Sequence, residues 1–221
     1  MKARILSTKK LTLSQQELLL NKGFSLVQAD FIKIDFMKIN ADKFYPNIII
    51  TSKNGVLSLE KQQLLNRLEN KTVYCVGSKT ERLLADKGIE VAQHFQNAKT
   101  LADFIVSEKN TEAFTYICGN IRRKELPNIL KENHIVLDEK IAYKTLFSPL
   151  KTNSDFDGVL FFSPSLVESY FFNNQLSGAA FCIGETTAKS AAQYTQNIIT
   201  ASQPTIENVI VKVVKYFETT S

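Results

Sequence analysis

The stretch VYCVGSKT, at residues 73–80, has a second version in the same chain, AFCIGETT at residues 180–187. Each version begins as an apolar run, typical of a buried strand, and ends in glycine and hydroxyl residues that favour the start of a helix. Cys75 and Cys182 occupy the same place in the two versions and are 107 positions apart. The repeated element is therefore a strand followed by a helix, the building block of parallel α/β sheets.

Two further pairs of segments repeat in the same order and with nearly the same spacing. Residues 50–56 (ITSKNGV) correspond to residues 161–167 (FFSPSLV), which matches Ser52 with Ser163. Residues 97–101 (NAKTL) correspond to residues 205–209 (TIENV). Three matches in one order are hard to obtain by chance, so the chain is predicted to contain two related α/β units.

Continuous apolar runs predict strands that are buried on both faces. They lie at residues 3–6, 47–51, 73–76, 114–118, 158–162 and 179–183. The second unit has only two of the matched strands and a short one near 197–200, so it needs a strand that residues 3–7 can supply. A capping box at Ser14-Gln15-Gln16-Glu17 predicts the first helix, and Pro204-Thr205 opens the last one.

The predicted fold class is α/β, with two related parallel-sheet α/β domains, one of them discontinuous, joined by a two-stranded β-ladder. The discontinuous domain comprises residues 1–25 and 150–221, and the other domain comprises residues 44–133. The ladder comprises residues 26–43 and 134–149. It is predicted because residues 26–39 and 134–147 are β-rich and partly alternating, unlike strands of a buried parallel sheet.

Composition restricts the classes of partner. The 221 residues include 27 basic and 22 acidic ones, a net charge of +5, which suits a polyanionic ligand but is also common on ordinary surfaces. The basic residues are dispersed and not interleaved with aromatic residues, which disfavours a nucleic-acid partner. No signal peptide is visible, and no apolar run approaches the roughly 20 residues of a membrane span. We therefore expect a cytoplasmic protein without a membrane partner.

The residue types that serve most cofactor and nucleophile chemistry are sparse. Cys75, Cys118 and Cys182 each lie in an apolar run without metal-ligand spacing, which predicts reduced, buried thiols. His94 and His134 lack neighbouring ligands, so no metal site is expected. No phosphate-binding or nucleophile-elbow motif is present. Any catalysis is expected to depend on positioning and hydrogen bonding, without a cofactor.

Hydroxyl-rich turns follow the predicted strands and are candidate anion sites, because free amides and the helix dipole favour negative charge there. The same Ser and Thr residues could serve only as helix caps. Arg122, which follows the strand at 114–118, adds a cation, although a solvated surface arginine is the alternative. The candidate ligand-binding residues are Thr51, Ser52, Asn54, Ser78, Thr80, Arg122, Ser163, Ser165, Thr186 and Thr187.

Six stretches, in this order and spacing, resemble the uroporphyrinogen-III synthase family over nearly the whole chain. They are IIITSKNGV (48–56), VYCVGSKT (73–80), GNIRRKEL (119–126), IAYKT (141–145), LFFSPSLVESYF (160–171) and FCIGETTAKSA (181–191). The resemblance implies that the linear tetrapyrrole hydroxymethylbilane is bound between two domains. It also implies cyclisation to uroporphyrinogen III, with inversion of ring D and loss of water.

The resemblance also implies individual roles. Tyr143 is the residue that would assist loss of the terminal hydroxyl of the substrate, and the alternative is that its side chain only packs on the ladder. Two departures from the family pattern are Lys53 and Glu185, each at a position where proline is common. Glu185 would repel a carboxylate at its turn. The family positions that would line the cleft include Ser52, Asn54, Thr80, Ser163, Ser165 and Thr187.

A different class of function fits the same two-domain pattern. A non-catalytic clamp that closes on a small polyanion needs the same amide-rich turns, and a fold alone cannot distinguish it from an enzyme. Tyr143 on a connecting segment favours the enzyme. The chain is expected to be a monomer, because no apolar stripe in the sequence requires a partner.

Overall fold

The computed structural model describes residues 2–152 and 155–219. The chain divides into two compact units, which we call the terminal unit (Met1–Lys33 with Leu146–Ser221) and the inserted unit (Ile34–Thr145). Residues 1, 153–154 and 220–221, which belong to the predicted domain ranges, lie outside the described residues.

Strands and helices alternate along the chain, as expected for an α/β fold. A short 3₁₀ helix at Leu65–Leu68 separates two of them. In chain order the elements are β1 (Arg4–Ser7), α1 (Leu13–Leu20), β2 (Ser25–Gln28), β3 (Ile32–Phe36), β4 (Asn47–Ile50), α2 (Lys53–Lys61), β5 (Thr72–Val76), α3 (Ser78–Asp86), β6 (Gln93–Phe95), α4 (Ala98–Glu108), β7 (Ala113–Gly119), α5 (Glu125–Glu132), β8 (Val136–Phe147), β9 (Gly158–Phe161), α6 (Pro164–Phe171), β10 (Ala179–Cys182), α7 (Glu185–Ala191), β11 (Ile198–Thr200) and α8 (Ile206–Thr219).

The strands form two sheets that are mostly parallel. One has five strands in the order β11-β10-β9-β1-β2, and the other has six strands in the order β3-β8-β7-β4-β5-β6. From β9, the chain adds β10 and β11 on one side, and β1 and β2 lie on the other side. From β4, it adds β5 and β6 on one side, and β7 and β8 on the other. The two sheets therefore share one strand order, circularly permuted in the terminal unit.

Both faces of the central strands are covered, which explains their continuous apolar sequences. In β4, Ile48 and Ile50 pack into one apolar cluster, and Ile49 packs into a second cluster on the other face. All four residues of β4 are buried. In β9, Leu160 and Val159 likewise point into two different clusters. Each sheet is therefore the middle layer of its unit.

The strands predicted from apolar runs are confirmed to within one or two residues, and so is the short strand near 197–200, which is β11. The last helix begins at Ile206, just after the predicted opening. The predicted cap of the first helix is wrong. Thr12 is the N-cap, its hydroxyl accepts from the Gln15 N–H, and the Gln15 side chain accepts from the Thr12 N–H at 3.1 Å. Ser14 therefore lies inside the helix.

The prediction that residues 26–39 and 134–147 lie outside the parallel sheets is wrong for part of each segment. Residues 26–28 belong to β2, which pairs in parallel with β1. Residues 136–143 of β8 pair in parallel with β7. Both strands are partly exposed, so their sequences lack the continuous apolar run of a strand that is buried on both faces. β3 is the edge strand next to β8.

Candidate functional site

The inserted unit has a topological switch point between β4 and β7, where the strand order reverses direction. In open α/β sheets, the carboxyl ends of the strands at such a point form a natural ligand site. A cavity of about 360 Å³ lies there, and we call it the switch-point cavity. Its lining residues are Thr51, Ser52, Val76, Gln96, Asn97, Ala98, Tyr116, Gly119, Ile121, Arg122, Arg123 and Tyr143.

Tyr143 is the predicted catalytic residue, and its side chain lines this cavity while only 9% of the residue is exposed. It lies on β8 directly opposite Gly119 of β7. Burial raises the pKa of the phenol, and a hydrogen bond with Ser52 opposes part of that rise. Tyr143 is therefore a neutral hydrogen-bond donor at neutral pH.

A second phenol in the cavity, Tyr116, was not predicted from the sequence. Its hydroxyl forms a hydrogen bond of 2.9 Å with the Thr51 hydroxyl. Burial raises the pKa of Tyr116 to about 12, with the Thr51 hydrogen bond acting in the opposite direction. Tyr116 occurs in the middle of an apolar strand run, where the sequence pattern indicates only core packing. The signal that could have revealed it is its register opposite β4, which requires the sheet order.

Positive charge reaches the cavity from the segment after β7. The Nε–H of Arg122 donates to the carboxylate of Glu139 on β8, and this charged hydrogen bond raises the already high pKa of Arg122. The pair is part-buried, with about 28% of each side chain exposed. Arg123 also lines the cavity and is exposed. The pairing with Glu139 restricts the Arg122 side chain and leaves the other guanidinium donors of its planar fork for a ligand.

The amino end of α4 forms another part of the wall. Asn97 is the N-cap of this eleven-residue helix, and its side chain accepts from the Thr100 N–H at 2.9 Å. The positive end of the helix dipole therefore points towards the side of the cavity formed by Asn97 and Ala98. Together with Arg122, this makes the cavity suited to an anionic group that also accepts hydrogen bonds from neutral phenols.

Of the predicted site residues in the inserted unit, the structure brings together Thr51, Ser52, Arg122 and Tyr143. Three others lie at helix starts outside that lining. Asn54 is in the first turn of α2, and its N–H donates to the Ser52 hydroxyl at 3.2 Å. Ser78 is exposed at the start of α3, and Thr80, two residues further in the same first turn, is buried. Their roles as ligand-binding residues stay predictions.

The predicted site residues of the terminal unit follow β9 and β10. Ser163 is the N-cap of α6, and its side chain accepts from the Leu166 N–H at 3.3 Å. Ser165 is half-buried in the first turn of that helix, Thr186 is exposed in α7, and Thr187 is buried. Glu185, the first residue of α7, is exposed. These residues therefore occupy helix starts, and their binding role also stays a prediction.

The cysteines do not supply a nucleophile. All three are free and buried, as predicted. Burial raises the pKa of Cys75 to about 11 and the pKa of Cys118 and Cys182 to about 12, so the thiolate fraction at neutral pH is negligible. Within residues 2–152 and 155–219, no cluster of His, Cys, Asp and Glu side chains has the arrangement of a metal site. The same residues contain no helix long and apolar enough to cross a membrane.

Comparison with known proteins gives one consistent result. Residues 14–210 match the family model described as uroporphyrinogen-III synthase HemD. A porphyrin biosynthesis protein HemD from Ruminiclostridium josui is 27% identical over an alignment that covers 77% of this chain and 38% of that protein. The chain thus spans well under half the length of this curated relative.

Solved structures show the same fold. A uroporphyrinogen-III synthetase from Helicobacter pylori superposes with a TM-score of 0.76 at 18% identity, covering 96% of this chain and 99% of that one. A mutant uroporphyrinogen III synthase from Thermus thermophilus superposes with a TM-score of 0.71 at 14% identity, covering 99% of each chain. At these identities the likeness extends to the α/β architecture with its two mostly parallel sheets.

Proposed function

The chain belongs to the uroporphyrinogen-III synthase HemD family, an enzyme family of porphyrin biosynthesis, and we propose that it cyclises hydroxymethylbilane to uroporphyrinogen III. The reaction closes the macrocycle with inversion of ring D and releases one water. The observation that carries the proposal is the neutral phenol of Tyr143 in a cavity that also holds Arg122 and the paired hydroxyls of Thr51 and Tyr116.

In the proposed first step, the Tyr143 phenol transfers its proton to the terminal hydroxyl of the substrate as the C–O bond breaks, so that water departs and leaves a protonated azafulvene beside the phenolate. The raised pKa of Tyr143 keeps the phenol protonated for this task. The substituted carbon of ring D then attacks the azafulvene and gives a spiro-pyrrolenine. Fragmentation and reclosure of that intermediate invert the ring, and the proton that is lost as the pyrrole is restored returns to the Tyr143 phenolate.

The chemistry requires no redox change and no external nucleophile, so the enzyme has to supply mainly orientation. Hydroxymethylbilane also closes without an enzyme, to the isomer in which ring D is not inverted. The positive charge of Arg122 and the amino end of α4 would hold a substrate carboxylate beside Tyr143. We propose that this fixed carboxylate keeps ring D in the orientation that favours attack through its substituted carbon.

The proposal extends to the arrangement of the whole chain. The terminal and inserted units would act as two domains linked by a two-stranded ladder of segments from residues 26–43 and 134–149. The substrate would bind in the cleft between them, with the hydroxyl-rich turns of both units holding its carboxylates. The functional unit would be a single chain, without a metal or an organic cofactor. The shared strand order of the two sheets supports two independent units of this kind.

The direct test is an isomer assay under anaerobic conditions. Hydroxymethylbilane is made enzymatically, incubated with the protein, oxidised and separated into the porphyrins of isomers I and III. We expect isomer III as the main product at a rate well above spontaneous closure. Formation of isomer I alone would contradict the proposal. If isomer I formed more slowly than without protein, the chain would instead be a clamp that binds the tetrapyrrole without converting it.

A further inference from the structure

The pairing of β7 and β8 contains a bulge next to the switch-point cavity. Cys118 pairs with Ile141, but the next residue, Gly119, pairs with Tyr143, so Ala142 is passed over. Because side chains alternate along a strand, a bulge of one residue moves every later side chain to the opposite face. This extra residue therefore sets the face of the sheet on which Tyr143 projects.

The bulge is held by hydrogen bonds from outside the pairing of β7 with β8. The Ala142 carbonyl accepts from the buried Ser58 hydroxyl of α2 at 2.6 Å and from the Met37 N–H at 2.9 Å. The Gln62 side chain donates to the Ser58 hydroxyl at 2.9 Å. The carbonyl of the residue that the pairing passes over is thus satisfied in the interior, and the bulge leaves it no unpaired polar atom there.

The residues after the bulge also fix the backbone of Tyr143. The Asn120 N–H donates to the Tyr143 carbonyl at 3.1 Å, and the Asn120 side chain accepts from the Thr145 N–H at 2.8 Å. The main chain on both sides of the phenol therefore has defined partners. Only the ring itself remains to be placed.

Gly119 places the ring. A Cβ built on Gly119 would lie 2.6 Å from two ring carbons of Tyr143 and 2.9 Å from its hydroxyl oxygen. Such contacts are far inside van der Waals distance, so any larger residue at position 119 would displace the phenol. The clashing atoms form the end of a side chain rather than backbone, and the ring can move away at modest cost in folding free energy.

We propose that Gly119, with the bulge at Ala142, is a positioning residue that holds the Tyr143 hydroxyl at its catalytic place in the switch-point cavity. The inference rests on the proposed function of Tyr143. The inference states that Gly119 affects turnover only through the position of the Tyr143 hydroxyl. Glycine is needed because the ring lies against the backbone, and the φ of Gly119 is not in the left-handed region.

The test is a double-mutant cycle of Gly119→Ala and Tyr143→Phe, with single-turnover rates of isomer III formation. In the wild-type background we expect Gly119→Ala to slow turnover by about 10- to 10²-fold, the effect of a misplacement on the order of 1 Å. In the Tyr143→Phe background, we expect Gly119→Ala to change the rate by less than about threefold, because the hydroxyl that it misplaces is already absent.

The matched control is Gly158→Ala in the terminal unit, where a new Cβ would meet the buried Phe181 ring at 2.7 Å. This variant is expected to lose stability but to keep its rate per folded molecule. Urea unfolding gives the folded fraction of each variant, and Ser58→Ala provides a second route to a misplaced Tyr143 if Gly119→Ala folds poorly.

The outcomes separate the two proposals. A wild-type protein that makes no isomer III fails the proposed function. If the wild-type protein makes isomer III and the Gly119→Ala variant keeps the full rate, the proposed function stands and only the inference is overturned. The inference is also overturned if Gly119→Ala slows the Tyr143→Phe protein as much as the wild-type protein.

Discussion

The switch points of the two sheets have the same strand order but different chemistry. In the inserted unit, β4 is followed by Thr51, whose hydroxyl pairs with Tyr116 beside a cavity. The repeat places Phe162 at the position of Thr51, and the strand register places Ser7 at the position of Tyr116. The same scaffold therefore carries the hydrogen-bonded pair Thr51 and Tyr116 at one switch point, and Phe162 and Ser7 in the corresponding places at the other.

In the corresponding region of the terminal unit, the side-chain hydroxyls donate hydrogen bonds to backbone carbonyls. The Thr8 hydroxyl donates to the Leu160 carbonyl at 2.6 Å, and the Ser7 hydroxyl donates to the Lys9 carbonyl at 2.6 Å. The Lys9 ammonium lies 4.8 Å from the centre of the Phe162 ring. Strand order thus fixes where a ligand could bind, while the side chains after the strands determine which copy is equipped for chemistry.

The largest expected effect of a single substitution is at Tyr143. Tyr143→Phe should slow isomer III formation by about 10²–10⁴, the usual contribution of general acid assistance. The product should remain isomer III, because orientation of ring D does not depend on the hydroxyl. Rate and isomer ratio are measured together. A variant with full rate would remove Tyr143 from the mechanism, and a slow variant that yields isomer I would show that its role is orientation.

A smaller effect is expected from removal of the Arg122 cation that lines the switch-point cavity. Arg122→Gln should lower kcat/KM by about 10- to 10²-fold, because a hydrogen bond to a charged group contributes about 1.5–3 kcal/mol. Lys9→Gln removes the cation that lies over the Phe162 ring at the other switch point and should change kcat/KM by less than about threefold. Steady-state kinetics of both variants test the comparison. Equal losses would mean that both switch points bind the substrate charge to the same extent.

The buried hydroxyl pair should contribute less than the cation. Tyr116→Phe removes a neutral hydrogen bond to Thr51 and is expected to lower turnover about fivefold, equivalent to roughly 1 kcal/mol. The counterpart variant, Ser7→Ala, should leave turnover unchanged while costing a similar free energy of unfolding. Measuring both quantities for both proteins separates loss of function from loss of stability. A larger turnover loss in Ser7→Ala than in Tyr116→Phe would mean that the switch point of the terminal unit, and not that of the inserted unit, carries the chemistry.

The smallest difference between the two units is expected for the ionisation of their buried thiols, because each unit contains such a thiol. A cysteine thiol in the unfolded chain has a pKa of about 8.5, but burial raises the pKa of Cys118 and Cys182 to about 12. Between about pH 8.5 and 10 the native state therefore holds more protons than the unfolded state, and the free energy of unfolding falls as pH rises. Cys118→Ala and Cys182→Ala should each flatten this dependence in urea titrations. An unchanged slope in both variants would contradict the buried, protonated thiols.

The sequence was sufficient for the strand framework because a strand covered on both faces has a continuous apolar run. The repeat around Ser52 and Ser163 also revealed the relation between the two units. Partly solvated strands were harder. β8 lies between the edge strand β3 and β7, but it is solvated along part of its length, so its alternation resembled that of a connecting segment. The three-residue strand β6 was too short to give a pattern.

The site was only partly predictable, for a physical reason. Tyr143 and Ser52 carry local signals, namely a tyrosine in a family motif and a hydroxyl at a helix start. Tyr116 and Gly119 acquire their importance from strands that are distant in sequence, through a hydrogen bond to Thr51 and a close approach to the Tyr143 ring. Register and bulges depend on pairing across the sheet, which a single sequence does not state.

The most direct test is whether the tetrapyrrole contacts the phenols of the switch-point cavity. The seven tyrosines are replaced by 3-fluorotyrosine, and the ¹⁹F resonances of Tyr143 and Tyr116 are assigned from their Phe variants. Uroporphyrinogen III is then added anaerobically to saturation. Both resonances should shift, while that of Tyr170, buried in the terminal unit, should stay in place. Saturation with unchanged Tyr143 and Tyr116 resonances would contradict the assignment of this cavity as the active site.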